Sequence, residues 1–153
     1  MDTLKTKGII DFVIKDVNGN VRDSWTITNT ITNTGKAAFA GLAGNTGSVS
    51  AFTYLALGTG ATSPASSQTA LTTEISANGF SRASATVSRV TTTETNDTLQ
   101  LVKTWTATGS QTVQEIGVFN AASSGIMSAR ALTTSKSFVN GEQFQATYKI
   151  IFS

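Results

Sequence analysis

The sequence contains no cysteine and no histidine. The first absence excludes a disulfide framework and thiolate chemistry. The second removes the commonest general base and the commonest metal ligand together. Zinc sites built on Cys and His fall with them, as do hydrolytic triads that need a His base. Charge is also sparse: Asp, Glu, Lys and Arg make up 13% of the 153 residues, for a net +2. The basic residues, Lys5, Lys7, Lys15, Lys36, Lys103, Lys136 and Lys149 with Arg22, Arg82, Arg89 and Arg130, are scattered along the chain. No concentrated basic stretch of the kind that holds nucleic acid is present, so nucleic acid is not an expected partner. Proline occurs once, at Pro64. No apolar run approaches the ~18 residues of a membrane span, and the opening MDTLKTKG lacks the apolar stretch of a secretory signal. The expectation is synthesis in the cytosol and no membrane partner.

What is there is Thr, Ser, Asn and Gln, which carry the polar load. Thr is β-branched and neutral and suits half-exposed strands. A hydroxyl-rich surface costs less to desolvate than a charged one, which favours broad protein contacts. The length suffices for one domain with its own core.

Gly8–Lys15 alternates, with Ile10, Phe12 and Ile14 on one face. Asn18-Gly19 supplies the tight turn. Val21–Ile31 returns, with Val21, Trp25, Ile27 and Ile31 sharing a face. Asn33 and Thr34 offer an N-cap to a short Ala-rich helix over Lys36–Ala43, with Gly44 as its stop. Phe52–Leu57 has little polar relief and reads as a strand buried on both faces. Gly58–Gln68 is a loop, and Ala70–Ser76 fits neither template. Phe80–Val90 alternates weakly, with Ala83, Ala85 and Val87 facing in. Leu99–Ala107, Val113–Asn120 and Ile126–Thr133 are further strands. Phe144–Ser153 alternates cleanly, with Phe144, Ala146, Tyr148, Ile150 and Phe152 inward. About eight strands with one short helix predict an all-β, antiparallel β-sandwich, jelly-roll-like, with an N-terminal hairpin. The flexible composition of Asn45–Ser50 divides the chain into 1–50 (arm, hairpin, helix) and 51–153 (sandwich).

Chemistry is hard to find. The GTG of Gly58–Gly60 follows a strand, but no helical pattern follows it and the Lys of a phosphate loop is missing. The glycines are expected to allow a sharp turn. Asp16, Asn18 and Asn20 are spaced like the start of a calcium loop, but the closing Glu is absent and a hairpin turn explains them equally. Glu74 and Glu115, at strand ends beside apolar runs, are the expected partly buried carboxylates. Arg82 and Arg130 are their candidate partners. A structural ion pair is expected, not a catalytic one, because no second acid lies near either carboxylate in sequence. Trp25, Trp105 and Tyr54 alternate with apolar neighbours and read as core before they read as a sugar platform. No catalytic, cofactor-binding or metal-ligating residue is nominated, and an enzyme is not expected.

Two stretches do resemble something known. YLALGTGATSPASSQTALTTE, from Tyr54 to Glu74, resembles a pattern in small structural proteins of tailed bacteriophages: a strand ending in ALGTG, a T-x-P, a small-polar loop, then TAL-x-x-E. QEIGVFNAASSGIMSARAL, from Gln114 to Leu132, is similar to the second half of that pattern. DVNGNVRDSWTITNTITNTGKAAFAGLAG resembles its lead. Asn78-Gly79 before Phe80-Ser81-Arg82 suits its pre-strand turn. The departure is Ile116-Gly117-Val118, where the family more often has Ala-Gly-Leu. The resemblance spans most of the chain in the right order.

It implies a virion protein without cofactor, made in the host cytoplasm. The first expectation is a capsid decoration (cement) protein. It would bind the major capsid protein on the outside of the head as a trimer or dimer and stabilise capsomer contacts. The alternatives are a tail baseplate or tail-fibre adaptor bound to tail proteins, or a carbohydrate-binding module at the tail tip using Tyr54, Trp25 or Trp105. The loop Gly58–Gln68 is expected to be an interface.

Overall fold

A computed structural model describes residues 3–153. Ten strands form two five-stranded antiparallel sheets packed as a sandwich. They are β1 (Thr6–Lys15), β2 (Val21–Thr28), β3 (Thr30–Ile31), β4 (Tyr54–Gly58), β5 (Ala83–Ser84), β6 (Thr86–Val90), β7 (Thr98–Thr106), β8 (Gln111–Phe119), β9 (Met127–Phe138) and β10 (Gln143–Phe152). One helix, α1 (Asn33–Gly44), follows β3. The first sheet runs β2-β1-β10-β7-β6 and the second β3-β9-β8-β4-β5. The sandwich and the N-terminal hairpin expected from the alternation are both present.

The inner faces follow the period-two pattern. Ile10, Phe12 and Ile14 of β1, Leu101 and Trp105 of β7, and Phe144, Ala146, Tyr148 and Ile150 of β10 are buried from the first sheet. Leu55 and Leu57, Val113, Ile116 and Val118, Ala129, Ala131 and Phe138 meet them from the second. Phe144 is the centre of an aromatic cluster. Its ring lies 5.1 Å from those of Phe12 and Phe138, 6.1 Å from Trp25 and 6.2 Å from Trp105.

Six local expectations are corrected. Val21–Ile31 is not one strand: the chain leaves the first sheet at Asn29 and enters the second as β3, so Ile31 reaches the core from the other side. Val21, beside a register shift at Ile14/Lys15, is exposed. The helix begins earlier and is capped by Thr32, whose hydroxyl accepts from Gly35 N–H. It is closed by Asn45 in the left-handed conformation, not by Gly44. Phe80–Val90 is likewise broken, β5 pairing with β4 in one sheet and β6 with β7 in the other. The crossing occurs at Ala85, and Val87 ends up exposed on an edge strand.

The sequence sets residues 1–50 apart as arm, hairpin and helix. In the described part, β1 lies inside the first sheet, between β2 and β10, with ten paired positions from Thr6↔Phe152 to Lys15↔Gln143. The open end of the sandwich beside α1 is closed by Phe39, which packs on Phe52 and Phe152.

Candidate functional site

The outer face of the second sheet is covered by the chain between β4 and β5. On that face Glu115 and Arg130 have fully buried side chains, 0% exposed in both cases. Arg130 Nε donates to Glu115 Oε2 at 2.8 Å. The remaining capacity of the carboxylate is taken by backbone. Gly60 N–H (3.1 Å) and Thr73 N–H (2.8 Å) donate to Oε1, and Thr72 N–H (3.0 Å) to Oε2. Arg130 in turn donates from Nη1 to Thr62 O at 2.7 Å and to Gln68 Oε1 at 3.2 Å. The pair therefore holds both ends and the middle of the loop from residue 59 to 73. With its acceptor sites occupied, Glu115 has no free lone pair facing water and is not arranged for proton transfer.

The GTG glycines belong to this arrangement. A Cβ at Gly58 or at Gly60 would collide with Glu115 Oε1. Neither glycine has a positive φ, so the expected sharp turn is not their reason. They give the buried carboxylate room. Beneath the loop Leu71 packs on Ala56, Phe119 and Met127, with Tyr54 at the margin. Gly117 leaves the space that Leu71 fills.

A second clasp continues the first. Arg82 meets Glu74 through two hydrogen bonds, Nη2 to Oε1 at 2.6 Å and Nε to Oε2 at 3.0 Å. Its guanidinium sits 3.7 Å from the centre of the Phe119 ring. Its Nη1 donates to Ala121 O (3.0 Å) and Ser124 O (2.8 Å), which fixes the turn between β8 and β9. Glu74 and Glu115, with their candidate partners Arg82 and Arg130, thus form two ion pairs on one face. Both are structural. Glu115 is more buried than expected, because the loop folds over it.

Above the clasps the loop shows an uncharged surface. Thr59, Ala61, Thr62, Ser63, Ala65, Ser66, Ser67 and Thr69 are exposed. Its shape is fixed internally by Gln68, which accepts from Ala65 N–H and donates to Ser63 O. Asn33 N–H donates to Ser66 O at 2.8 Å, tying the loop to the start of α1.

The remaining candidates do not converge. Trp105 is buried and donates from its indole to Ser81 O; Trp25 lies against Phe12 and donates to Thr133 Oγ1. Tyr54 is on the opposite face of the second sheet, so the three rings share no platform. Asp16 Oδ1 accepts from Asn18 and Asn20 N–H, which makes it a turn residue. Among the described residues no group of three or more carboxylates could hold a metal ion. A third ion pair, Lys136 with Asp23 at 2.7 Å, places its ammonium 4.4 Å from the centre of the Trp25 ring. It had no sequence signal, since 113 residues separate the partners.

No family model, no curated protein and no solved structure matches this chain.

Proposed function

We propose that this is a structural protein of a tailed-phage virion, a decoration protein that binds the outside of the head and stabilises it. One observation carries the reading. Nine residues of the two main phage-like stretches come together on the clasped face. Gly58 and Gly60 clear the carboxylate, and Leu71 and Glu74 anchor the loop. Glu115, Gly117, Phe119, Met127 and Arg130 receive them. These nine positions hold one uncharged loop in one shape.

A preformed, neutral loop suits contact. Little conformational entropy is lost when it docks, and no charge has to be desolvated. A protein that binds only the assembled shell stabilises that shell by mass action. Purified heads lacking the protein should take it up to hundreds of copies and survive higher temperature. Ser66→Arg and Ala65→Arg, at exposed positions of the loop, should abolish uptake while leaving the melting temperature of the isolated protein unchanged. Quantitative mass spectrometry of virions that finds only tens of copies would move the protein to the tail and end the head assignment.

A further inference from the structure

We propose that the groove between the start of β1 and helix α1 is a docking site for an extended segment of another protein, apolar on one side and acidic on the other. The groove encloses about 850 Å³ and is separate from the clasped loop. Its apolar lining includes Ile31, Phe39, Ala40, Ala43 and Phe152, with Leu4, 76% exposed, at its lip.

Charge, backbone and shape point to the same occupant. Lys5, Lys7 and Lys36 stand around the groove, and among the described residues none that lines it is acidic. All three are exposed, and no ion pair among the described residues engages them. Three exposed cations around an apolar floor favour a partner that brings carboxylates with its apolar groups. They disfavour a second copy meeting this groove face to face, since six lysines would then crowd together.

The backbone selects an extended chain over a lipid. The β1–β2 ladder stops at Ile9↔Thr28, and Asn29 N–H reaches back to Gly8 O. There the chain turns away into the second sheet. Thr6 and Lys7 keep a ladder partner on the β10 side alone. One short strand edge is thus left open within the groove, and an added strand can use it. Asn29 Oδ1, in the same wall, is buried and has no hydrogen-bond donor.

This proposal does not depend on the virion reading, and its test uses no virion. The probe is a fluorescein-labelled peptide of about eight residues alternating valine with glutamate, titrated with the full chain and read by anisotropy. Saturable binding is expected, weakening with added salt. Lys5→Glu/Lys7→Glu/Lys36→Glu should lower affinity by roughly tenfold or more. Ala40→Trp should remove binding by filling the groove. Ala40 is exposed on the helix, so circular dichroism should show both variants folded. The idea is overturned if the wild-type protein shows no saturable binding, or if the charge-reversed variant binds equally well. Equal binding of a valine–lysine peptide would overturn it too. So would displacement of the probe by phosphatidylglycerol vesicles or duplex DNA acting at the same lysines, or a dimer in sedimentation that Ala40→Trp dissolves.

Discussion

Glu115 and Arg130 are worth more as a pair than either is worth alone. Taking a charge out of water costs several kcal/mol, and here each group offsets the cost of the other. Glu115→Ala or Arg130→Ala leaves the survivor buried and unpaired. Each should destabilise the fold by about 3–5 kcal/mol, measured by urea denaturation. Replacing both, as Glu115→Leu with Arg130→Met, should cost clearly less than the sum of the two single changes. The loop from 59 to 73 should then become open to limited proteolysis, since the backbone N–H groups of Gly60, Thr72 and Thr73 have lost their acceptor. Asp97 makes a comparable arrangement in water. The N–H of Glu94 beside it, the Thr98 hydroxyl and the N–H groups of Thr92 and Thr93 hold its carboxyl well below the usual 3.8. A carboxylate depressed in the folded state stabilises above its unfolded pKa, and that stabilisation is lost as pH falls through the folded value. Asp97→Asn should therefore flatten the loss of stability with acid below about pH 4, read from melting temperature against pH. A steep acid slope unchanged in the variant would rule the role out.

At the scale of elements, α1 sets propensity against packing. Glycine costs about 1 kcal/mol relative to alanine inside a helix, so both Gly35→Ala and Gly44→Ala look stabilising on paper. A Cβ at Gly35 would run into the backbone of Ser128 on β9, whereas at Gly44 the nearest atom is Thr46 Cγ2 at 3.6 Å. Gly35→Ala should destabilise by on the order of 1–3 kcal/mol, and Gly44→Ala should be neutral or better. Thermal melts of the two variants decide it, and equal shifts would refute the close approach. The same helix shows what a sequence can carry. Ala-rich composition with Phe39 marked its existence. Its cap was not legible: the sequence points to Asn33 and Thr34, whereas Thr32 caps it, a choice that depends on β9. Thr32 Oγ1 also donates to Met127 O at 2.6 Å, and that carbonyl is 95 residues away. Strands behaved alike. β1 and β10 were legible because one face is buried along their length and the alternation runs unbroken from Ile10 to Ile14 and from Phe144 to Ile150. β2 with β3, and β5 with β6, were not, because each change of sheet moves the buried side and breaks the period at the crossing. The carboxylates and arginines of the clasps were legible as residues. Their function as a cradle for the loop was not, since it needs the loop's amide groups in place.

For the molecule as a whole, the decisive feature is that the first long strand pairs with the last. β10 has β1 on one side and β7 on the other. A fragment beginning at residue 51 would lose β1 and β2, expose the long edge of β10 and uncover Phe144, Tyr148 and Ile150. Such a fragment is expected to aggregate and bind a hydrophobic dye, while the full chain melts in one cooperative transition. A folded, monomeric 51–153 fragment would show that the sandwich stands without residues 1–50. Pairings of this range are closed late and slowly, so refolding should take milliseconds to seconds.

The backbone of Lys5 and Ser153 exchanges hydrogen bonds in both directions. The two described ends of the chain lie side by side, at the pole that carries Leu4 and Phe152. A linker of a few residues could join them with little strain and turn the polypeptide into a cyclised backbone, shielded from exopeptidases and resistant to fraying. It follows as well that cargoes joined at Thr3 and at Ser153 would leave from the same pole.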